Sequence, residues 1–208
     1  MIVEAHRGFL LALARRAVEA RAGGAHDELE RLARTDPDGP NEPGPARRLR
    51  LSEYSPPGIF VSLHTRDGRL RGCIGCTSGD RPLVPALVFA ASSASGDDPR
   101  FPPVNPSEVA GLDIEISVLT PFEIIDDTET IVVGRHGLFV EQGVQRGLLL
   151  PQVATEWGWD REAFLRQVCL KAGLTPDAWR GGATLYRFEA EVFGDAAGGV
   201  GTASLGLG

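Results

Sequence analysis

Gly58-Ile59-Phe60-Val61-Ser62-Leu63-His64-Thr65-Arg66-Asp67-Gly68-Arg69-Leu70-Arg71-Gly72-Cys73-Ile74-Gly75-Cys76 reads as two strands joined by a turn, and the pairing it implies decides the fold. Asp67-Gly68 favours a tight hairpin turn, and the run before it is rich in β-branched and aromatic residues. The return stretch from Arg69 to Cys76 gathers two arginines, two glycines and two cysteines. Gly72 and Gly75 weaken a strand interior unless the backbone bulges or is closely approached. The return strand is therefore a bent corner or a ligand-facing edge, with Cys73 between the glycines as its reactive group.

On the amino-terminal side, Leu10, Leu13, Ala14, Ala17 and Val18 recur at three- and four-residue spacing, which predicts a helix over 3–22 closed by Gly23-Gly24. Residues 27–34 read as a second, short helix. The prolines within 36–45 exclude helix and sheet and mark a surface connection. On the carboxyl-terminal side, 82–94 is apolar and small, a helix with Pro82 in its first turn that can lie close on a sheet. Residues 96–106 form a loop carrying Asp97, Asp98 and Arg100. A charged, proline-rich loop on a rigid scaffold is a place for function; alternatively, Arg100 pairs with Asp97 or Asp98 and caps the loop.

Residues 112–118 alternate strictly, with Leu112, Ile114, Ile116 and Val118 on the core face and Asp113, Glu115 and Ser117 on the other. Residues 186–192 repeat the pattern, so the two acidic faces are either a paired-carboxylate site or solvated sheet surface. Residues 130–133, 137–141 and 147–150 read as three short strands. Asp160 is the N-cap of a helix over 161–171 that buries Phe164, Leu165, Val168 and Cys169 and stops at Gly173. From Gly194 on, Gly, Ala and Ser dominate with almost no charge or bulk, the composition of a flexible tail over 194–208. Hairpin-like succession with helices between predicts an α+β fold, mostly antiparallel sheet with flanking helices.

A chain of 208 residues, 42% hydrophobic and 24% charged, can bury a core without disulfides or metal, as one domain or two closely packed lobes. A net charge of −7 argues against a nonspecific polyanion binder, because phosphate contacts need surplus Lys and Arg. An RNA-associated regulator therefore ranks last. Lys171 is the only lysine, and no Gly-x-x-x-x-Gly-Lys surrounds it. Three cysteines and no apolar leader after Met1 fit a reduced, cytoplasmic compartment. No run approaches the ~18 apolar residues that span a bilayer.

Cys73-Ile74-Gly75-Cys76 matches Cys-x-x-Cys, yet residues three apart in a regular strand face opposite ways with α-carbons about 10 Å apart. A disulfide tolerates roughly 7 Å, so paired chemistry requires a turn at Gly75. Cys73 alone is the stronger candidate. Arg71, two residues away, shares its face in a regular strand and would favour the thiolate; the competing reading is a buried small hydrophobe. A nucleophilic cysteine wants a base, and His64 on the paired strand and His136 in the corner Gly134-Arg135-His136-Gly137 are the candidates. No short-spaced ligand pair announces a metal, and no cofactor is expected.

Leu70-Arg71-Gly72-Cys73-Ile74-Gly75, Asp98-Pro99-Arg100-Phe101-Pro102-Pro103, Glu115-Ile116-Ser117-Val118-Leu119-Thr120-Pro121, Gly134-Arg135-His136-Gly137-Leu138, Gly147-Leu148-Leu149-Leu150-Pro151-Gln152-Val153-Ala154, Cys169-Leu170-Lys171-Ala172-Gly173-Leu174 and Phe188-Glu189-Ala190, in that order, resemble the AMMECR domain family over about residues 3–193. The resemblance implies an α+β fold in two unequal lobes, with the Arg-Gly-Cys-Ile-Gly signature near the cleft between them, around 69–76. Prokaryotic members look like parts of a system with a Memo-like protein, related to class III extradiol dioxygenases, and a radical S-adenosylmethionine protein. It assigns no reaction, and Cys76 stands where the family pattern has Thr, which weakens Cys-x-x-Cys as a mechanism.

The expected site has Cys73 as thiolate nucleophile or radical donor and His136 or Glu115 handling protons. Arg71, Gly72, Gly75, Asp98 and Arg100 would surround an anionic or carbonyl-bearing substrate. The alternative is a non-catalytic adaptor that docks a protein or peptide, with Cys73 structural.

Overall fold

In the computed structural model, which describes residues 2, 4–36, 54–77 and 79–195, the elements follow the order α1 (Glu4–Ala22), α2 (His26–Ala33), β1 (Ile59–Thr65), β2 (Leu70–Cys76), α3 (Leu83–Gly96), β3 (Leu112–Leu119), β4 (Glu123–Ile124), β5 (Gly137–Gln142), β6 (Gln145–Leu149), α4 (Pro151–Glu156), α5 (Arg161–Lys171), β7 (Thr184–Phe188) and β8 (Ala190–Gly194). The proline-rich connection after Asp36 and the tail beyond Asp195 lie outside the described residues. Two antiparallel sheets result, ordered β2-β1-β3-β8 and β4-β7-β5-β6. The fold is α+β with flanking helices, and the chain divides into two units, one running to Val118 and resuming at Glu191, the other Leu119–Ala190. Among the described residues no helix is long and apolar enough to cross a membrane.

The hairpin that opens the first unit closes through a three-residue loop. Thr65 N–H donates to the Arg69 carbonyl at 2.9 Å and Gly68 N–H to the Thr65 carbonyl at 2.7 Å, with Gly68 at φ 83°. A turn followed by a left-handed glycine is the favoured geometry for that loop length. Alternation then sorts β1: Ile59, Val61 and Leu63 enter the core, and Phe60, Ser62 and His64 take the other face. β3 does the same with Ile114 and Ile116 inside and Asp113, Glu115 and Ser117 beside the polar residues of β1. Leu10, Leu13, Ala14, Ala17 and Val18 of α1 and the alanines of α3 complete this core. α3 packs on α1, β1 and β2, so closely to β2 that a Cβ on Gly72 would stand 2.1 Å from the Ala94 carbonyl oxygen.

In the second unit, α5 packs on β5 and β6 and buries Phe164, Leu165, Val168 and Cys169. Its N-cap is made by Asp160 Oδ1, which accepts the Ala163 N–H at 2.8 Å, and Gly173 follows its end at φ 74°. Phe122, Phe139, Tyr186 and Phe188 form an aromatic cluster, with Phe122 stacked on Phe139 at 5.0 Å between ring centroids.

Three elements differ from the sequence reading. Residues 130–133 form no strand: the Asp127 carboxylate accepts the Glu129 N–H at 2.9 Å and the Thr130 hydroxyl donates to the Asp127 carbonyl at 2.7 Å, winding Thr128–Thr130 into a 3-10 turn. Local side-chain bonding to the backbone outcompetes the β propensity of Ile131-Val132-Val133. Residues 186–192 are not one strand but two, β7 in one sheet and β8 in the other. The break is at Glu189, whose carbonyl accepts the Thr120 N–H and whose N–H donates to Thr120 Oγ1, both at 2.8 Å. Finally, Gly194 closes β8, and Asp195 accepts the Ile114 N–H at 2.9 Å and pairs with Arg15. Gly194 and Asp195, at the start of the stretch that composition assigns to a tail, thus belong to the first sheet and its edge contacts.

Candidate functional site

β2 is an edge strand, paired only with β1. Its register sets Cys73 against Ser62 and Gly72 against Leu63, but Leu70 against His64. Arg71 is therefore the extra residue of a β-bulge. Cys73 N–H donates to Asp98 Oδ2 at 2.9 Å, and Arg100 Nη2 donates to the Cys73 carbonyl at 3.3 Å. Both backbone groups of Cys73 point away from β1, so Cys73 and Ser62 form the non-hydrogen-bonded kind of pair, in which side chains stand closest. The Ser62 hydroxyl accordingly donates to Cys73 Sγ at 3.2 Å. Asp98, 4% exposed, also binds Arg100 through Oδ2 to Nη2 at 2.8 Å and Oδ1 to Nε at 3.0 Å.

Electrostatics at this position disfavours a resting thiolate. Burial pushes the Cys73 thiol up; the Ser62 bond and Arg100 pull it down without offsetting that, and Asp98 and Glu115 add to the rise. Cys73 is 8% exposed, and these surroundings favour the neutral thiol over a thiolate. Glu115 lies opposite Ser62 on β3, and burial raises its carboxyl too. For Asp98, burial alone would raise the carboxyl, but the Arg100 guanidinium and the amides of Cys73 and Arg100 more than offset it and hold it below the ordinary range.

Both arginines are engaged within the protein, and Arg100 makes the pair with Asp98 that its loop offered as the alternative reading. Arg71 donates to both Glu108 oxygens at 3.2 Å and to the Pro102 and Pro103 carbonyls at 2.9 and 3.4 Å, its side chain 13% exposed. It ties the loop to β2, and the cation beside the thiol is Arg100, itself matched to Asp98. Gly72 admits the backbone of α3, and Gly75 lies under the Phe60 ring, where a Cβ would meet ring carbon at 2.3 Å and the Ile59 carbonyl oxygen at 2.5 Å. Both glycines are explained by packing. Cys73, Cys76 and Cys169 are all free thiols, and Cys76 pairs across the hairpin with Ile59.

Residues 11–193 match AMMECR1, over most of the chain. The chain belongs to the AMMECR1 family. A protein of Methanothermobacter thermautotrophicus is 50% identical over 161 residues, which is 71% of this chain and 83% of its own. A protein of Thermococcus kodakarensis is 45% identical over 195 residues, 89% of this chain and 88% of its own. The crystal structure of an uncharacterized protein from Pyrococcus horikoshii matches with a TM-score of 0.69 at 41% identity, covering 90% of each chain.

Of the residues expected at a site in this AMMECR1 chain, Arg71, Gly72, Cys73, Gly75, Asp98, Arg100 and Glu115 belong to the first unit, and His136 belongs to the second. His136 accepts the Val132 N–H on Nδ1 at 3.1 Å, so the neutral ring carries its proton on Nε2, 3.9 Å from Glu189 Oε1. Its basic nitrogen is occupied, and burial together with Arg187 and Arg135 lowers its pKa. His64 pairs with Leu70 and Asp113 rather than with Cys73, and its buried Nε2 has no hydrogen-bond partner among the described residues. The paired-carboxylate alternative loses Glu191, which binds Arg7 and the Ile2 N–H, both at 2.9 Å. Among the described residues no group of three or more His, Cys, Asp or Glu is placed to hold a metal ion.

Ser62 is the residue that sequence reasoning missed. Counting back from the Thr65–Arg69 closure with no bulge puts Ser62 opposite Gly72. The bulge at Arg71 shifts the register by one and brings it to Cys73.

Proposed function

We propose that this AMMECR1 chain is an enzyme, or the substrate-holding subunit of one, with Cys73 as its chemical group. One observation carries the reading: a buried carboxylate, Asp98, is directed at the backbone of a single cysteine, with Arg100 on the other side of the same residue. Burying a charge is costly, and here it fixes where one sulfur stands. A thiol held neutral donates a proton or a hydrogen atom, and becomes a nucleophile once its proton is removed. Hydrogen-atom donation suits the partners inferred for it, a Memo-like protein and a radical S-adenosylmethionine protein. The partner would make a carbon radical on the substrate; the S–H bond breaks, a C–H bond forms, and sulfur keeps the unpaired electron. The compartment we infer is the cytoplasm, where free thiols stay reduced.

Metabolite profiling by mass spectrometry tests the reading in cells whose own copy is intact, deleted or Cys73→Ser. The expected result is that Cys73→Ser accumulates the same precursor as the deletion at unchanged protein abundance. A Cys73→Ser strain indistinguishable from the intact one overturns it. A second reading, a non-catalytic adaptor, draws support from the packing roles of Gly72 and Gly75 and the internal pairing of Arg71. It expects Cys73→Ser to keep both a stable partner complex and full function.

A further inference from the structure

We infer that Ser62 is a positioning residue that links the Cys73 thiol to the Glu115 carboxyl, so that a proton passes between sulfur and carboxyl within the sheet. The inference rests on the reading of Cys73 as the reactive group and deepens it. Ser62 is the cross-strand partner of Cys73 on one side and of Glu115 on the other. Its hydroxyl already reaches Cys73 Sγ at 3.2 Å. A serine hydroxyl has one proton to donate and two lone pairs to accept with, so it can serve a thiol and a carboxyl together.

Among the described residues Glu115 has no counter-charge of its own. On β8 its neighbour is Gly194, where an added Cβ would stand 3.3 Å from Glu115 Cα. Glu191 of β8 and Asp195 just beyond it are engaged elsewhere, Glu191 with Arg7 and Asp195 with Arg15. His64 and Asp113 form the next cross-strand pair along the same two strands. Asp98 and Arg100, from the loop beside β2, are bound to each other. Burial raises both Cys73 and Glu115 toward their neutral forms.

The transfer balances without an outside base. Ser62 donates to Cys73 Sγ at rest; with its hydroxyl turned to the other side, it gives its O–H proton to the Glu115 carboxylate as its oxygen takes the S–H proton of Cys73. Thiol and carboxylate become thiolate and carboxylic acid, and the single negative charge stays within the row. This supplies a nucleophile without histidine, which matters because Nδ1 of His136 is occupied.

The test is an NMR titration of the full chain carrying ¹³C at cysteine Cβ and glutamate Cδ. In the unsubstituted protein, Cys73 and Glu115 should each report the same two transitions, which belong to the pair. Glu115→Gln should leave one Cys73 transition with its midpoint lowered by about one pH unit, the effect of removing a nearby like charge. Ser62→Ala should raise the Cys73 midpoint, and Ser62→Thr, which keeps the hydroxyl, should restore the original curve. Glu115→Gln preserves size, so the test survives a Ser62→Ala that does not fold. Cys73 curves unmoved by Glu115→Gln, or identical in Ser62→Ala, overturn the inference. If Cys73→Ser still abolishes function in that case, the coupling alone falls; a coupled pair with fully functional Cys73→Ser overturns the enzyme reading instead.

Discussion

The Asp98 carboxylate accepts the amide hydrogen of Cys73 at 2.9 Å, in the position where a further strand of the first sheet would place a carbonyl. Arg100, two residues on, covers the matching carbonyl of the same residue. Unpaired groups on an edge strand are a template for pairing with another chain, and at Cys73 an acid and a base of one loop complete the edge.

Replacing Asp98 should therefore cost stability in a defined way. Asp98→Ala leaves the Cys73 N–H unsatisfied, at about 1–3 kcal/mol. Arg100, with 31% of its side chain exposed, recovers much of its lost partner from water. The expected total is about 2–3 kcal/mol, seen as a lower urea midpoint at unchanged slope. The folded carboxyl lies below its unfolded value, so this contribution is full above about pH 4 and is lost as pH falls through the lower folded value. Asp98→Asn should flatten that acid limb; an unchanged limb would remove Asp98 from the account of acid stability.

The two signature glycines should tolerate alanine unequally. At Gly72 the new Cβ meets the backbone oxygen of Ala94, which moves only if α3 moves. At Gly75 the nearest atom is in the Phe60 ring, which can rotate, although the Ile59 carbonyl at 2.5 Å cannot. Overpacking costs about 1–3 kcal/mol, and Gly72→Ala should lie at or above the top of that range. For a chain of this size each kcal/mol lowers the melting temperature by about 2–4 °C. A Gly72→Ala melt within 2 °C of the parent, on the order of 1 kcal/mol or less, would show that α3 lies less tightly on β2 than described.

Acidification should weaken the fold through the half-buried His64 and the buried His136. Burial, the leading cause in both, lowers the folded values of His64 and His136. A base whose folded pKa is depressed leaves the unfolded chain holding more protons, so stability is full above the ordinary value of about 6.5 and declines as pH falls toward the folded values. Urea midpoints should be lower at pH 5.5 than at pH 7.5. His136→Gln, whose side-chain oxygen can still accept the Val132 N–H, should narrow that gap, and a gap of undiminished size would exonerate His136.

Alkylation rates should rank the thiols by burial. With Cys73 buried and its thiol raised, iodoacetamide at pH 7 should label the half-buried Cys76 before Cys73, with Cys169 protected by its helix. Peptide mass spectrometry of a time course gives the order directly. Cys73 reacting first would restore the resting thiolate.

The parts of this fold that depend on near neighbours were legible in the chain. Asp67-Gly68 marked the hairpin, the spacing of Leu10 to Val18 marked α1, and Asp160 and Gly173 marked both ends of α5. Registers are set at longer range. Nothing near Arg71 announces a bulge, yet the bulge alone delivers Ser62 rather than Leu63 to the thiol's neighbourhood. Arg71 looked like a free cation because its partner, Glu108, becomes visible only once the loop folds back onto β2, whereas the pairing of Arg100 with Asp98 was legible as an alternative within the loop itself. His136 looked like a base because a sequence does not show which ring nitrogen a backbone amide will claim.

Glu189 is the single residue between β7 and β8, and its length has a parity. β8 presents Phe193 to the core and Val192 to solvent, and Glu191 reaches Arg7. Removing one residue at 189 would turn every later side chain to the opposite face, trading Phe193 for Val192 and withdrawing the acid from Arg7. Removing two would slide the strand by one pleat and keep its faces. Along β8, therefore, a change in chain length keeps the faces of the strand in even steps only, as a gear does that engages on alternate teeth.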